Sequence, residues 1–223
     1  MVPLRHNRPL RKGRMAGLTT NRSGLQVRDL GIWRGDRCLF EGLDFELGPG
    51  QLALVVGPNG SGKTTLLRTL AGLATPTLGA ATWEDSALAS LPAERRAEIA
   101  YRGHLDGLKK DLTVGENLDF HRRLWSNSME LGPLLEELKL EHAVRTRVRH
   151  LSAGQRRRTA LATLQLSGAK LWILDEPMTN LDAEGRALMV VWTRRHLGAG
   201  GTAVVATHQP EDFETRGTLV IEL

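Results

Sequence analysis

Apolar and polar positions change their spacing several times along the chain. From Leu25 to Leu47, short apolar segments alternate with Gly-Asp and Glu-Gly pairs, a pattern typical of antiparallel strands joined by turns. Leu52 to Val56 is a continuous apolar run, which predicts a buried strand, and it leads into a glycine-rich loop. The apolar residues after this loop recur at helical spacing, as Leu66, Leu67, Leu70, Ala71 and Leu73. The pattern therefore predicts an antiparallel sheet followed by a strand, a loop and a helix.

A helical pattern lies in the middle of the chain, between Thr113 and Gly154. Thr113 with Glu116 has the spacing of a capping box, and Pro133 suits the first turn of a helix. An apolar stripe follows, formed by Leu134, Leu135 and Leu138. We expect a helical insert at about residues 105–160.

The last part of the chain predicts buried strands that alternate with a helix. Leu171 to Leu174 and Ala203 to Ala206 are continuous apolar runs, typical of parallel strands covered on both faces. Between them, a helix is predicted from about Ala183 to His196, with Gly198 at its end. Alternating strands and helices indicate an α/β core, and we find no internal repeat.

Composition limits the possible membrane and redox roles. No stretch of the sequence approaches the roughly 20 apolar residues that a membrane-spanning helix needs. A membrane role is therefore expected to be that of a peripheral subunit. The sequence has one cysteine, Cys38, so it has no internal disulfide and no CxxC pair for metal or redox chemistry. A reducing, cytosolic setting is the natural expectation.

The net charge of +5 is concentrated at the N-terminus. Seven basic residues precede the first acidic residue, Asp29, and the rest of the chain is close to neutral. We interpret residues 1–24 as a basic, disordered arm. A solvated tail, a segment attracted to an anionic membrane surface and an organellar transit peptide all remain open, as does a true start at Met15.

A phosphate-binding loop is predicted directly between the strand and the first helix. It matches the pattern GxxxxGK[ST] in the context that this motif requires. The glycines let backbone N–H groups surround a phosphate, the lysine reaches further phosphate oxygens, and the threonine hydroxyl suits Mg²⁺. The residues are Gly57, Pro58, Asn59, Gly60, Ser61, Gly62, Lys63 and Thr64, with Thr65 beside them.

The second half of this site is predicted where the strand at Leu171 ends in two acids. Asp175 is expected to anchor Mg²⁺ through water, and Glu176 to polarise the attacking water as a general base. An Asp-Glu pair that caps a helix is the alternative. The phosphate loop elsewhere in the chain favours the catalytic interpretation.

The segment Leu151-Ser152-Ala153-Gly154-Gln155 resembles the signature motif of the ATP-binding-cassette (ABC) ATPases. Ser152 and Gln155 also fit an ordinary capping box, in which the serine and the free N–H groups form an anion site. In the family this site faces the γ-phosphate held by a second subunit, so Ser152, Gly154 and Gln155 are expected to bind nucleotide across a dimer. Ala153 stands where the family usually has glycine.

Two further residues match the family in order and spacing. Asp182 fits the loop that contacts the dimer partner, and His208 fits the histidine that senses the γ-phosphate. By itself, an aspartate that starts a helix is usually a cap, and a histidine after a strand is usually a packing residue; the order and spacing relative to Glu176 favour the family interpretation. The resemblance implies a P-loop NTPase fold over residues 25–223: an ABC-type nucleotide-binding domain with a RecA-like core, an antiparallel β subdomain and a helical insert.

One stretch resembles a particular branch of the family. Most relatives have glutamine at the junction of the core and the helical insert, and this chain has His104. The surrounding segment, residues 101–109, is similar to that of the ATPase subunits of bacterial cytochrome c maturation (haem exporter) complexes. His104 is expected near the Mg²⁺ site and the docking groove for a membrane partner. A loop histidine without a chemical role is equally open.

The resemblance implies cofactors, partners and a location. We expect ATP with Mg²⁺, a homodimer across two ATP molecules, and an integral membrane subunit resembling CcmB, with CcmC and CcmE by family analogy. The chain is expected at the cytoplasmic face of the bacterial inner membrane. No nucleic acid is expected.

Two alternative functions are an ATPase subunit of another small-molecule or lipid exporter and a soluble ABC ATPase acting on nucleic acid. The sequence has no haem-ligand motif, so the haem role rests on the resemblance.

The residue that stacks on adenine is the least defined part of the site. The family usually has an aromatic residue directly before a glycine in the first sheet, but here Arg34 precedes Gly35. Trp33 lies one residue earlier. Either side chain can stack on a base, and Trp33 is also compatible with a core position.

Overall fold

The structure, a computed structural model, describes residues 24–223. The predicted basic arm at residues 1–24 therefore lies outside the described residues, apart from Gly24. In chain order, the strands are β1 (Leu25–Arg34), β2 (Arg37–Leu47), β3 (Leu52–Val56), β4 (Leu78–Trp83), β5 (Ser86–Ala87), β6 (Ile99–Arg102), β7 (Leu171–Asp175), β8 (Thr202–Ala206) and β9 (Leu219–Glu222). The α-helices are α1 (Lys63–Leu70), α2 (Ala93–Arg96), α3 (Val114–Leu124), α4 (Leu131–Glu137), α5 (Ala153–Ser167) and α6 (Ala183–Gly198).

The first sheet is antiparallel, as predicted, with the strand order β2-β1-β4-β5. Strands β1 and β2 form a hairpin in which Arg34 pairs with Arg37 across a turn containing Gly35. The prediction of a second turn at the Glu-Gly pair is wrong. Gly42 lies inside β2, where its φ of 68° accompanies a register shift, so the extra residue forms a bulge rather than a turn.

The second sheet has five strands in the order β6-β7-β8-β3-β9, and each neighbouring pair is parallel. Successive side chains on β3 point to opposite faces. Leu52 and Leu54 join one buried cluster, while Ala53 and Val55 join the other. The continuous apolar run seen in the sequence is thus explained by a sheet that is covered on both faces.

Helices α3, α4 and α5 lie between β6 and β7 in the chain and form the helical insert. The predicted capping box at Thr113 and Glu116 begins α3, and Leu134, Leu135 and Leu138 are buried as expected. Helix α5 continues to Ser167, where Gly168 ends it with a φ of 60°. The predicted boundary near residue 160 falls inside this helix, because its apolar positions continue onto the core.

The carboxyl ends of the parallel strands carry the loops that form the site. The turns after β3, β7 and β8 lead to residues 57–62, 176–182 and 207–209, respectively. In open parallel sheets, ligands bind at this edge. Within residues 24–223, no helix combines the length and the apolar character that crossing a bilayer requires.

Candidate functional site

The predicted phosphate loop joins β3 to α1 at the carboxyl edge of the parallel sheet. Gly57 has a φ of 145°, and a Cβ atom there would lie 2.5 Å from the carbonyl oxygen of Leu223, so only glycine fits. Gly62, with a φ of 111°, precedes the first residue of α1 and supplies no side-chain cap. The first N–H groups of α1 are therefore left for a ligand, and the helix dipole favours an anion there.

Lys63 folds back over the loop from the start of α1. Its ammonium donates hydrogen bonds to the carbonyl oxygens of Gly57 at 2.7 Å and Pro58 at 3.1 Å, and its side chain is largely buried. The positive charge is held beside the backbone N–H groups of the same loop. This arrangement suits a polyphosphate, whose charge would otherwise lack a counterion.

Thr64 and Asp175 form the candidate magnesium site. The Thr64 hydroxyl donates to Asp175 Oδ2 at 2.8 Å, although the two residues lie on different elements, α1 and β7. Among residues 24–223, no three imidazole, thiol or carboxylate groups lie close enough together to hold a metal ion. Mg²⁺ commonly uses one or two protein oxygens together with phosphate and water. The hydroxyl and carboxylate beside the phosphate loop fit that donor set.

Glu176 occupies an uncommon backbone conformation directly after β7. Its φ of 48° is in the left-handed region, where residues other than glycine are rare and which is often seen at functional sites. The side chain is mostly buried, and Oε1 has no hydrogen-bond partner among the residues that the structure describes. His208 Nε2 lies 3.3 Å from Oε1, outside hydrogen-bonding alignment. This buried oxygen takes part in no hydrogen bond within residues 24–223, which makes it the candidate acceptor for the proton of an attacking water.

A cavity of about 720 Å³ brings most of the predicted residues together. His104 is among them, and its Nε2 lies 3.4 Å from Asp175 Oδ2, as expected for a residue near the magnesium site. The predicted residues that line the cavity are Asn59, Gly60, Gly62, Lys63, Thr64, Thr65, His104, Asp175, Glu176 and His208. Three arginines also line it, namely Arg34, Arg37 and Arg68. The cavity therefore combines a phosphate cradle with a strongly basic wall.

The residues expected to act across a dimer lie outside this cavity. Ser152 is exposed and caps α5: its hydroxyl accepts the Gln155 N–H at 3.1 Å, and Gln155 Oε1 accepts the Ser152 N–H at 3.0 Å. Asp182 caps α6 and pairs with Arg158 at 2.6 Å, which lowers the pKa of Asp182. Neither Gly154 nor these residues line the phosphate cavity of their own chain, so their nucleotide contacts stay a prediction.

Comparison with known proteins identifies the family. A family model described as ABC transporter matches residues 40–179. The chain is 44% identical, over 184 residues, to the cytochrome c biogenesis ATP-binding export protein CcmA of Ruegeria pomeroyi, and the match covers 82% of this chain and 84% of that protein. CcmA 2 of Cupriavidus metallidurans, with the same description, is 41% identical over 188 residues, covering 83% of this chain and 89% of the relative. The chain belongs to the CcmA family of ABC transporter ATP-binding proteins.

Solved structures confirm the predicted ABC fold. The ATP-binding subunit of an ABC transporter superimposes with a TM-score of 0.78 at 25% identity, covering 88% of each chain. An ABC transporter ATP-binding protein of Pyrococcus furiosus gives a TM-score of 0.74 at 21% identity and covers 90% of this chain and 98% of its own. Family membership makes the chain an ATP-binding ATPase of an ABC complex with membrane partners.

The ABC family usually has an aromatic adenine contact where this chain has Trp33 and Arg34. Trp33 is 41% exposed, and its backbone N–H donates to the Thr77 hydroxyl. It does not line the phosphate cavity, whereas Arg34 and Arg37 do. The structure therefore places Arg34, the alternative considered from the sequence, at the cavity wall, and the residue that stacks on adenine stays a prediction.

Arg157 is a residue of this ABC domain whose contacts the sequence did not predict. It is 4% exposed and donates hydrogen bonds to the carbonyl oxygens of Gly103, Glu176 and Pro177. The signal available in the sequence was the run of three arginines after the signature segment, which cannot all be solvated on a helix that packs against the core.

Proposed function

We propose that this chain is the ATP-hydrolysing subunit of a membrane complex for haem export and cytochrome c biogenesis. The Glu176 Oε1 atom, buried beside the phosphate loop and without a hydrogen-bond partner among residues 24–223, is the observation that carries the hydrolytic part of the proposal. The biogenesis part comes from the names of the relatives, each a cytochrome c biogenesis ATP-binding export protein. The same names favour this role over that of another exporter.

The proposed chemistry divides among four groups of the cavity. Lys63 and the N–H groups of its loop hold the β- and γ-phosphates of ATP, while Thr64 and Asp175 hold Mg²⁺, which supplies charge neutralisation when bound. Glu176 Oε1 accepts the proton of the attacking water. His208, at 3.3 Å from this oxygen, lies on the side from which the γ-phosphate would be sensed.

The proposed assembly is a homodimer that encloses two ATP molecules. Ser152, Gly154 and Gln155 lie outside their own phosphate cavity and present a helix start to solvent. A second copy would place this helix start over the γ-phosphate. We propose that the dimer acts at the cytoplasmic face of the bacterial inner membrane on an integral subunit resembling CcmB, with CcmC and CcmE as further partners.

Glu176→Gln tests the hydrolytic proposal. The full chain is co-expressed with its membrane partners, and the complex is purified in detergent. We expect turnover to fall about 10² to 10⁴-fold, because only the proton acceptor is lost, while ATP binding is retained and the dimer accumulates. Glu130→Gln is the matched control, since Glu130 is exposed and makes no capping hydrogen bond. Turnover at the parental rate in Glu176→Gln would overturn the proposal.

The haem role needs a separate measurement. We expect the purified complex to contain an integral membrane subunit and to show a haem absorbance spectrum. Mass spectrometry of the subunits identifies the partner. A partner from an unrelated exporter, with no haem in the complex, would contradict the biogenesis role and leave the ATPase assignment intact.

A further inference from the structure

Arg157 is a charged side chain buried next to the catalytic turn. Its Nη2 donates to the Glu176 carbonyl oxygen at 2.9 Å, its Nε to that of Pro177 at 3.3 Å, and its Nη1 to that of Gly103 at 3.2 Å. All three acceptors are backbone oxygens. They belong to two loops that are far apart in the sequence and follow the paired strands β6 and β7.

Nearby carboxylates offset only part of the cost of burying Arg157. The carboxylate that the structure places nearest to it, that of Asp106, is partly exposed and lies 3.7 Å from Nη1. Burial lowers the pKa of Arg157, and the charges of Asp106 and Asp175 only partly oppose this effect. A buried cation is unfavourable unless its hydrogen bonds are well satisfied, so the three carbonyl contacts are what keeps this side chain in place.

The three contacts act on the two segments that carry the chemistry. Glu176 has a φ of 48°, and such a conformation persists only when its surroundings hold it. Its N–H donates to the Ala206 carbonyl oxygen at 2.9 Å, and Arg157 holds its carbonyl oxygen. On the other side, Gly103 precedes His104, which lies 3.4 Å from Asp175 Oδ2.

Arg157 also connects these segments to the signature helix. It lies on α5, the helix that Ser152 caps with its exposed hydroxyl. One end of α5 would therefore contact the ATP of the second subunit, while Arg157 contacts the catalytic turn of its own subunit. In such a dimer the first turns of α5 would lie between the two nucleotides.

We propose that Arg157 is a positioning residue for ATP hydrolysis. It holds the Glu176 peptide in the conformation that aims the carboxylate at the attacking water, and it fixes the His104 loop to the same helix. Because it touches neither nucleotide nor Mg²⁺ in this scheme, its loss reduces kcat and leaves nucleotide affinity nearly unchanged. This inference rests on the proposed role of Glu176.

Arg157→Gln and Arg157→Lys test the proposal in the detergent-purified complex of the full chain. We expect kcat of Arg157→Gln to fall about 10²-fold, as for a catalytic group displaced by about 1 Å, with KM and ATP affinity within about twofold of the parent. Arg157→Lys is expected to recover part of kcat, because an ammonium reaches the same carbonyls without the planar fork of the guanidinium. Arg195→Gln, an exposed surface arginine paired with Glu137, is the control for the loss of one charge.

The outcomes separate this inference from the proposed function. If Glu176→Gln is inactive and the folded Arg157 variants keep the parental kcat, positioning by Arg157 is wrong while the hydrolytic role stands. Turnover by Glu176→Gln would remove the basis of both. If Arg157→Gln does not fold, Arg157→Lys decides: a parental kcat in this variant overturns the proposal, and a reduced kcat at unchanged ATP affinity supports it.

Discussion

At the scale of single residues, His121 is an ionisable group that the fold holds in its neutral form. Its ring stacks on Trp125 with 5.0 Å between the centroids, and Nδ1 has no hydrogen-bond partner among the described residues. Burial, together with the charges of Arg102 and Lys109, lowers the pKa of His121 to about 4. In the unfolded chain the same ring takes up a proton near pH 6.5.

The pKa of His121 predicts that the protein loses stability in mild acid. Between about pH 6.5 and pH 4 the unfolded state binds the proton and the folded state does not, so the free energy of unfolding falls as the pH is lowered. Because the ring is only half-buried and solvent screening weakens the effect, we expect His121 to account for about 2 kcal/mol of this loss. His121→Phe keeps an aromatic ring against Trp125 and removes the proton site. The free energy of unfolding of this variant, measured with urea at a series of pH values, should therefore depend less on pH than that of the parent protein.

The control for this pH dependence is His150→Phe, at an exposed position near the signature segment. This variant is expected to keep the parental pH dependence. If His121→Phe loses stability in acid as steeply as the parent protein, the neutral state of His121 is not the cause.

The same scale shows which site residues a sequence can predict. The phosphate loop, Asp175 and Glu176 were predictable because their spacing and their flanking apolar strands determine where they lie. Trp33 and Arg34 are neighbours on one strand and point to opposite faces, and the sequence does not say which face meets the cavity. Arg157 could not be assigned, because its contacts depend on how α5 packs against the turn after β7.

At the scale of elements, two helices begin with the same capping box. Thr113 and Glu116 form it on α3, and Ser152 and Gln155 form it on α5. Both hydroxyls accept the N–H of the third helical residue at 3.1 Å. The local structure is therefore equivalent, while only Ser152 belongs to a segment that resembles the ABC signature.

This equivalence gives a matched pair of substitutions. Thr113→Ala and Ser152→Ala should each lower the free energy of unfolding by about 1 kcal/mol, because each leaves one helix N–H without its acceptor. Only Ser152→Ala is expected to lose ATP turnover as well. Chemical denaturation and ATPase assays on both variants check this. Equal turnover in the two variants would mean that Ser152 is a cap and nothing more.

The types of the helices and strands were predicted more accurately than the residues at which they begin and end. The apolar runs at β3, β7 and β8 were recognisable because a sheet covered on both faces needs apolar residues at every position. The bulge at Gly42 was mistaken for a turn because glycine with a positive φ serves both structures. The predicted limit of the helical insert, at about residue 160, falls inside α5, whose buried positions continue to Leu166.

At the scale of the whole molecule, the two halves of one nucleotide site are expected on two copies of the chain. Lys63 lines the cavity, and Ser152 lies outside it. If Ser152 acts on the nucleotide of the second subunit, a Lys63 substitution disables the site of its own chain. A Ser152 substitution disables the site of the partner instead. Mixed dimers separate this arrangement from one in which both residues serve the ATP of their own chain.

A dimer of one Lys63→Ala subunit with one Ser152→Ala subunit should hydrolyse ATP, although each variant alone is inactive. The Ser152→Ala subunit keeps an intact phosphate loop, and its partner supplies an intact serine to it, so one complete site remains. A dimer of the double variant with the parent chain has no complete site and should be inactive. The two chains are co-expressed with different affinity tags and purified on both, and turnover is then measured. The reverse result is an active dimer of the double variant with the parent chain and an inactive dimer of the two single variants. It would show that Ser152 serves its own subunit and that the nucleotide is not shared across the dimer.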